Sequence, residues 1–273
     1  MSFTTLSYEV RNQVALITLE RPAQRNAVNS AMSRELPKLW RHFAADDSAL
    51  LAIVTGRGDK AFCTGADLGD LPETDGDGND GTLQSIRWTS LQNKVWKPVI
   101  AAINGYAVGG GLHFVADSDI VLAAESATFF DTHVAVGLVA GLEPVSLCRR
   151  MPIGAVLRMA LTGGNERMSA RAALSVGLVD EVVPDASLLE RAFALADNIK
   201  THSPAALART KQAIWQAQEL GLHAGLENAW RLIMAHNAHP DFMEGGTAFL
   251  QRRPPQWQPY SALGGNNEGC VES

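Results

Sequence analysis

The sequence predicts an α/β fold, and three observations carry that prediction. Short apolar runs rich in Val, Ile and Thr recur through the first 200 residues. Helix-period patterns lie between them, and such alternation favours a mostly parallel sheet. Beyond Thr201-His202-Ser203-Pro204 the strand texture disappears and helical patterns remain.

The elements follow in order. Leu6 to Val10 and Val14 to Leu19 read as two short strands turned by Arg11-Asn12-Gln13, since Asn favours turns and β-branched residues favour strands. Asn29-Ser30 caps a helical stretch, Ala31 to Ala45, and Pro37 predicts a break or kink within it. Leu50 to Thr55, bounded by Gly56 and Gly58, reads as a buried strand. Val99 to Ile103 and Ile120 to Ala124 read the same way, Ala127 to Phe130 begins another, and Leu178 to Val183 is one more. Helical patterns cover Leu83 to Lys94, Gly111 to Ala116, Pro144 to Arg150, Ala155 to Leu161, Ala170 to Val176 and Leu188 to Lys200. Two further helices, Pro204 to Leu220 and Leu222 to Ala238, follow the boundary near 200. Residues 1–200 therefore form the expected core and 201–273 a helical C-terminal region. Its Pro-, Gly- and polar-rich tail from about 254 is expected to be loosely ordered.

Composition narrows the function. A hydrophobic share of 46% supports a substantial core. A net charge of -6 and no basic stripe argue against nucleic acid as a partner. Cys63, Cys148 and Cys270 form no CxxC, so neither a zinc site nor a disulfide framework is expected. The N-terminus lacks a signal pattern and no window approaches a membrane span. A soluble protein in a reducing, cytoplasmic compartment is the expectation. In the acidic stretch 72–81, Asp75, Asp77 and Asn79 match the first positions of a calcium loop. Asp80 and Ile86 stand where that loop needs Gly and Glu, so a solvated loop is the better reading.

Two glycine-bearing loops carry the chemistry. Asn104 to Phe114, NGYAVGGGLHF, takes a strand through Gly109-Gly110-Gly111 into a helix. Bare backbone N–H groups at such a turn attract negative charge, and glycine lets a ligand approach closely. Phosphate-loop and dinucleotide patterns fail here: no Gly-Lys-Ser/Thr is present and Phe114 replaces the last Gly. A developing oxyanion is the alternative. Ala61 to Leu68, AFCTGADL, has the same character just beyond another strand, so the two loops could share one oxygen.

These pieces together resemble the crotonase, or enoyl-CoA hydratase/isomerase, superfamily. The matching stretches are Glu20 to Ala27, AFCTGADL, Lys97 to Gly111, Asp119-Ile120, Leu161 to Gly164 with Ala170 to Val179, and Ser203-Pro204. They run in the family's order from about residue 14 to 253. The resemblance implies a spiral of ββα turns and a helical C-terminal region that packs trimers, often paired into hexamers. It implies acyl-CoA substrates, with coenzyme A a substrate handle and no separate cofactor or metal. By motif position Ala66 and Gly110 look like the two oxyanion-hole amides. Phe62, Gly65, Asp67 and Leu68 around the first, and Gly109 beside the second, fall in the substrate-binding set. Arg25, Asn26 and Ala27 resemble the loop that lies along CoA, and Arg252 a basic residue that meets its phosphates. Asp67, Asp117, Asp119 and Asp131 read as structural or solvated, and Phe129-Phe130 as core or pocket wall.

The chain departs from the hydratases of that family where they carry two catalytic glutamates. Those positions hold His113 and His133. Adding water to a conjugated thioester needs one group to polarise water and another to deliver a proton. Two imidazoles can share that work, since histidine titrates near neutral pH and each ring can donate at one nitrogen and accept at the other. Glu143, ten residues after His133, is the third candidate. It is either a displaced catalytic carboxylate or an ordinary first-turn acid before Pro144. Three functions are weighed: hydration or isomerisation of an enoyl-CoA, hydrolysis or C–C bond cleavage using His113, His133 and Glu143, and acyl-CoA binding without catalysis.

Overall fold

The computed structural model describes residues 2–71 and 86–260. The acidic stretch 72–81 lies outside them. Strands β1 (Leu6–Arg11) and β2 (Val14–Leu19) form an antiparallel hairpin. Asn12 and Gln13 both take positive φ, 48° and 66°, the pairing that matches hairpin twist.

Helix α1 (Ser30–Ala45) begins where the Asn29 side chain accepts from the Met32 N–H at 3.0 Å. Met32, Leu36, Leu39, Trp40 and Phe43 form its buried stripe. Of the break or kink expected at Pro37, the break does not occur: the helix runs through it. An interior proline costs about 3 kcal/mol, whereas burying five large side chains returns roughly 1.5–3 kcal/mol each.

From here the chain alternates between two sheets. Strands β3 (Leu51–Gly56), β5 (Val99–Ile103), β7 (Ile120–Ala124) and β10 (Glu181–Val183) extend the first. Its order is β1-β2-β3-β5-β7-β10, parallel from β2 onward. Strands β4 (Ala61–Cys63), β6 (Tyr106–Val108), β8 (Thr128–Phe130) and β9 (Met168–Ser169) make the second, in the order β4-β6-β8-β9. The pairs β3/β4, β5/β6 and β7/β8 each send one strand to each sheet, which is the expected ββα spiral. Short helices separate the turns: α2 (Leu112–Asp117), α3 (Leu142–Leu147), α4 (Ile153–Leu161) and α5 (Ala170–Ser175). Helix α6 (Leu188–Ile199) covers one face of the large sheet with Leu188, Ala192 and Ala196 against Val14, Leu16 and Ile53. The other face meets α1 and the small sheet in the main core.

Helices α7 (Pro204–Ala217), α8 (Leu222–Asn237) and α9 (Pro240–Gln251) form the C-terminal region. Lys211 anchors α7: its Nζ donates to Lys97 O and pairs with Asp119, each at 2.9 Å. Trp215 Nε1 donates to the other oxygen of Asp119 at 2.7 Å. Residues 254–260 are held by Trp257 Nε1 to Thr201 O at 2.8 Å and Gln258 N to Asp241 at 2.9 Å. No helix among the described residues is long and apolar enough to cross a membrane.

Two local expectations fail. Residues 86–94 form turns, not a helix. Side chains take the backbone partners there: Gln92 Oε1 accepts from Trp88 N and Thr89 N, and Asn93 Nδ2 donates to Arg87 O and Thr89 O. Leu178 and Val179 are not strand, because both amides return to Ala173 O at the end of α5.

Candidate active site

The site follows from the order of the small sheet. β4, β6 and β8 are parallel neighbours, with Cys63 opposite Ala107 and Val108 opposite Phe130. Their carboxyl ends therefore emerge side by side, about 4.8 Å apart per strand. The first exit is Thr64-Gly65-Ala66, the second Gly109-Gly110-Gly111, the third Asp131-Thr132-His133. Ligands of parallel sheets gather at this edge.

The first two exits touch. A Cβ on Gly65 would sit 2.7 Å from Gly110 N, and one on Gly110 would sit 3.3 Å from Gly65 Cα and 2.7 Å from Trp88 Cζ3. Only backbone fits there. Ala66 bridges to Val28 in parallel fashion, using Gly65 O and Asp67 N at 2.7 and 2.8 Å. That pattern turns the Ala66 N–H to the opposite side of its chain. Gly110 is the second residue of a 3-10 turn, so its N–H has no acceptor within that turn.

Trp88 closes this corner. Its Nε1 donates to Ser33 Oγ at 3.0 Å, its carbonyl accepts from Trp40 Nε1 at 2.7 Å, and its ring meets His113 edge-on at 5.9 Å. Neither Trp88 nor Gln92 was among the residues the sequence nominated. They come from a distant turn and carry no local motif.

The three chemical candidates come together. His113, the second residue of α2, is buried. Its Nε2 lies 3.2 Å from Glu143 Oε1, close but not aligned as a hydrogen bond, and Nε2 has no other partner. Its Nδ1 lies 3.4 Å from Gln92 Nε2. Glu143 is buried in the first turn of α3. His133, less than a quarter exposed, turns Nδ1 to both oxygens of Asp131 at 3.0 and 3.1 Å. Its ring borders the Gly109 turn, where φ is +49° and an added Cβ would stand 3.4 Å from His133 Cε1.

Asp131 is wholly buried and also accepts from the His133 N–H at 2.8 Å. It is therefore an orienting group, not a solvated one; the Asp-x-His spacing was its only trace in the sequence. Asp131, His133 and Glu143 each place one ligand atom within 4.8 Å of the others, so this oxygen–nitrogen–oxygen set could hold a divalent cation.

Charge follows this geometry. Asp131's hydrogen bond raises the pKa of His133 above its usual value, against partial burial and with help from Glu143 and the Asp131 charge. Burial pushes the Glu143 carboxyl upward, but the contact with His113 and the nearness of both imidazoles outweigh it and hold the pKa below the usual carboxylate range. A carboxyl held below its usual range thus stands near an imidazole, His133, raised above its own.

The remaining expected residues serve the frame. Asn26 is wholly buried: Oδ1 accepts from Arg21 N at 3.0 Å, and Nδ2 donates to Arg57 O and Ala61 O. Asp67 pairs with Arg21 at 2.9 Å and fixes the Ala66 loop. Phe62 is core, edge-on to Phe114 at 5.9 Å. Ala27 is buried, whereas Arg25 and Leu68 are exposed at the loop surface. Arg252 is the exposed end of α9, and no described contact joins it to the histidines.

Comparison with known proteins gives a consistent set of relatives. A family model described as enoyl-CoA hydratase/isomerase matches residues 9–259. The 2,3-dehydroadipyl-CoA hydratase of Escherichia coli (strain K12) is 37% identical over 252 residues, covering 91% of this chain and 96% of that protein. The (E)-benzylidenesuccinyl-CoA hydratase of Thauera aromatica is 35% identical over 254 residues, covering 93% and 98%. A crystal structure of an enoyl-CoA hydratase/isomerase from Mycobacterium paratuberculosis superimposes with a TM-score of 0.86 at 40% identity, over 94% of this chain and 99% of that one.

Proposed function

Because this chain belongs to the enoyl-CoA hydratase/isomerase family, we propose that it hydrates an enoyl-CoA, or dehydrates the corresponding hydroxyacyl-CoA. One observation carries the reading: a buried carboxylate, Glu143, lies between two imidazoles at the turn that bears Gly109 and Gly110.

The steps follow from the chemistry of these groups. The thioester oxygen sits against the N–H groups of Ala66 and Gly110, where preorganised neutral donors stabilise negative charge. Glu143 takes a proton from water as its oxygen bonds to Cβ. The double-bond electrons move onto the thioester oxygen and form an enolate. His133, protonated, delivers its Nε2 proton to Cα as the carbonyl re-forms. Glu143 then returns its proton to His133, which resets both groups. Coenzyme A is the handle of the substrate and takes no electrons.

The test is a panel of CoA thioesters followed at once by conjugated-enoyl absorbance and by thiol release. Loss of absorbance without thiol release is expected. Thiol release would favour hydrolysis, the second reading. That reading has its own support: Asp131 engages His133 Nδ1, which leaves Nε2 as a base for water. Binding of CoA esters with no turnover on the whole panel would reject both.

We also propose that the chain self-associates as trimers or paired trimers. Leu222, Leu226, Trp230 and Ile233 form one helical stripe on α8, half or more exposed. So broad an apolar face on one helix marks an interface. Sedimentation of Trp230→Glu with Ile233→Glu is expected to show dissociation; a wild type that sediments as a monomer would reject the proposal.

A further inference from the structure

We propose that Gln92 and Asp131 are positioning residues that lock the two active-site imidazoles in opposite tautomers. His113 is held as the Nε2–H form and His133 as the Nδ1–H form. The catalytic consequence rests on the hydration reading above; the tautomers themselves do not.

The inference begins at Gln92. Its Oε1 accepts from two backbone donors, Trp88 N at 2.8 Å and Thr89 N at 3.1 Å. An N–H must meet an acceptor, so these two contacts decide which end of the amide is oxygen. The Nε2 end, a donor with no lone pair to offer, therefore faces His113 Nδ1 at 3.4 Å. His113 Nδ1 must then present its lone pair, and the ring proton resides on Nε2. That Nε2–H lies 3.2 Å from Glu143 Oε1. The turn carrying Gln92 is itself tied to the helix carrying His113. Gln92 N donates to Thr89 Oγ1, and Thr89 Oγ1 donates to Asp117 Oδ2 at 2.8 Å, one helical turn beyond His113.

The opposite applies at His133. Two carboxylate oxygens face Nδ1, and a carboxylate only accepts. The proton belongs on Nδ1, so Nε2 carries the lone pair of the neutral ring. The charged groups around His113 are Glu143 and Asp117; those around His133 are Asp131 and Glu143.

The two rings therefore differ: His113 turns an N–H toward Glu143, and His133 keeps its lone pair on Nε2, away from the Asp131 carboxylate. Had both rings the same tautomer, one would either point a lone pair at a carboxylate or lose its working nitrogen to Asp131.

Long-range nitrogen–proton NMR on histidine-labelled protein reads the tautomers without any substrate. In the wild type neutral His113 is expected to show a protonated Nε2 and bare Nδ1, and neutral His133 a protonated Nδ1 and bare Nε2. A neutral His113 protonated at Nδ1, or a neutral His133 protonated at Nε2, overturns the inference. Gln92→Glu puts an acceptor opposite His113 Nδ1 and is expected to add a proton there, with kcat falling about tenfold or more and KM little changed. Gln92→Glu with His113 still bare at Nδ1 also overturns it. Asp131→Asn removes the carboxylate that faces Nδ1 and is expected to let the Nε2–H tautomer of His133 appear in the same spectra; an unchanged tautomer removes Asp131 from the role. Correct tautomers in a protein that releases thiol would leave this inference standing and reject only the hydration reading.

Discussion

Gly110→Ala tests the corner on which the chemistry is built. The added Cβ would stand 2.7 Å from Trp88 Cζ3, whereas ordinary contact begins at 3.4 Å, so 0.7 Å must be found. Retreat is blocked, because Gly65 Cα is 3.3 Å away from the same point. The indole cannot swing freely either, since Ser33 holds its N–H and its ring rests on His113. The Gly110 backbone and the His113 ring must share the displacement. A misplacement near 1 Å costs about 10²-fold in rate, and loss of one oxyanion donor about 10²–10³-fold. A fall of about 10²-fold in kcat/KM is therefore expected, or ~2.7 kcal/mol of transition-state stabilisation. Overpacking should also lower stability by about 1–3 kcal/mol, so melting is measured in parallel. Gly246→Ala, an exposed α9 position with nothing within 4 Å, is the control and should leave the rate unchanged. A folded Gly110→Ala protein within about threefold of wild type, under ~0.7 kcal/mol, would show that the Gly110 amide takes no part in the reaction.

Three more outcomes follow from the same geometry. Glu143→Gln should reduce kcat by about 10²–10⁴-fold, as expected for a lost general base, while CoA-ester binding by calorimetry is retained; unchanged kcat would return Glu143 to a helix-start role. Zinc added to the protein should inhibit reversibly, with recovery on chelation, by drawing the lone pairs of Asp131, His133 and Glu143 to itself; activation by zinc would instead make this a metal centre. The pKa of His133 is raised in the folded state, so its pairing with Asp131 stabilises fully below the unfolded histidine value and fades as pH rises through the folded one. Asp131→Asn should therefore lower the melting temperature more in acid than in alkali, and a uniform loss would show that the pair does not titrate.

Much of the spiral was legible because its long strands are apolar runs and its helices carry a 3.6-residue stripe. Val99–Ile103 and Ile120–Ala124 match the expected strands residue for residue. The small sheet was only partly legible: β8 falls at the expected strand from Ala127 to Phe130, but β4, β6 and β9 have two or three residues each, too short for any period to register. Its strand exits were nevertheless found, because glycine there is a steric demand that the sequence displays. Helix α9 went unread since Gly245 and Gly246 weaken its propensity and tertiary contacts restore it. In the site, His113, His133 and Glu143 could be named from position. Their partners could not, since Gln92 reaches His113 only through a side-chain-built turn from 21 residues away.

On the proposed reading, an imidazolium and a carboxylic acid differ in what the proton donor becomes after it acts. A carboxylic acid that delivers a proton becomes negative beside an enolate that is losing its charge. An imidazolium that does so becomes neutral, having stood as a positive charge near the oxyanion while that charge was largest. His133 would therefore contribute electrostatically to the enolate as well as supplying the proton, and more strongly because the site is largely buried. The cost is a cation that must be kept protonated at neutral pH. Asp131, wholly buried, accepts from the His133 N–H and faces its Nδ1 with both oxygens, which favours the protonated ring. A buried aspartate is expensive unless paired, and the pairing with His133 accounts for the burial of Asp131.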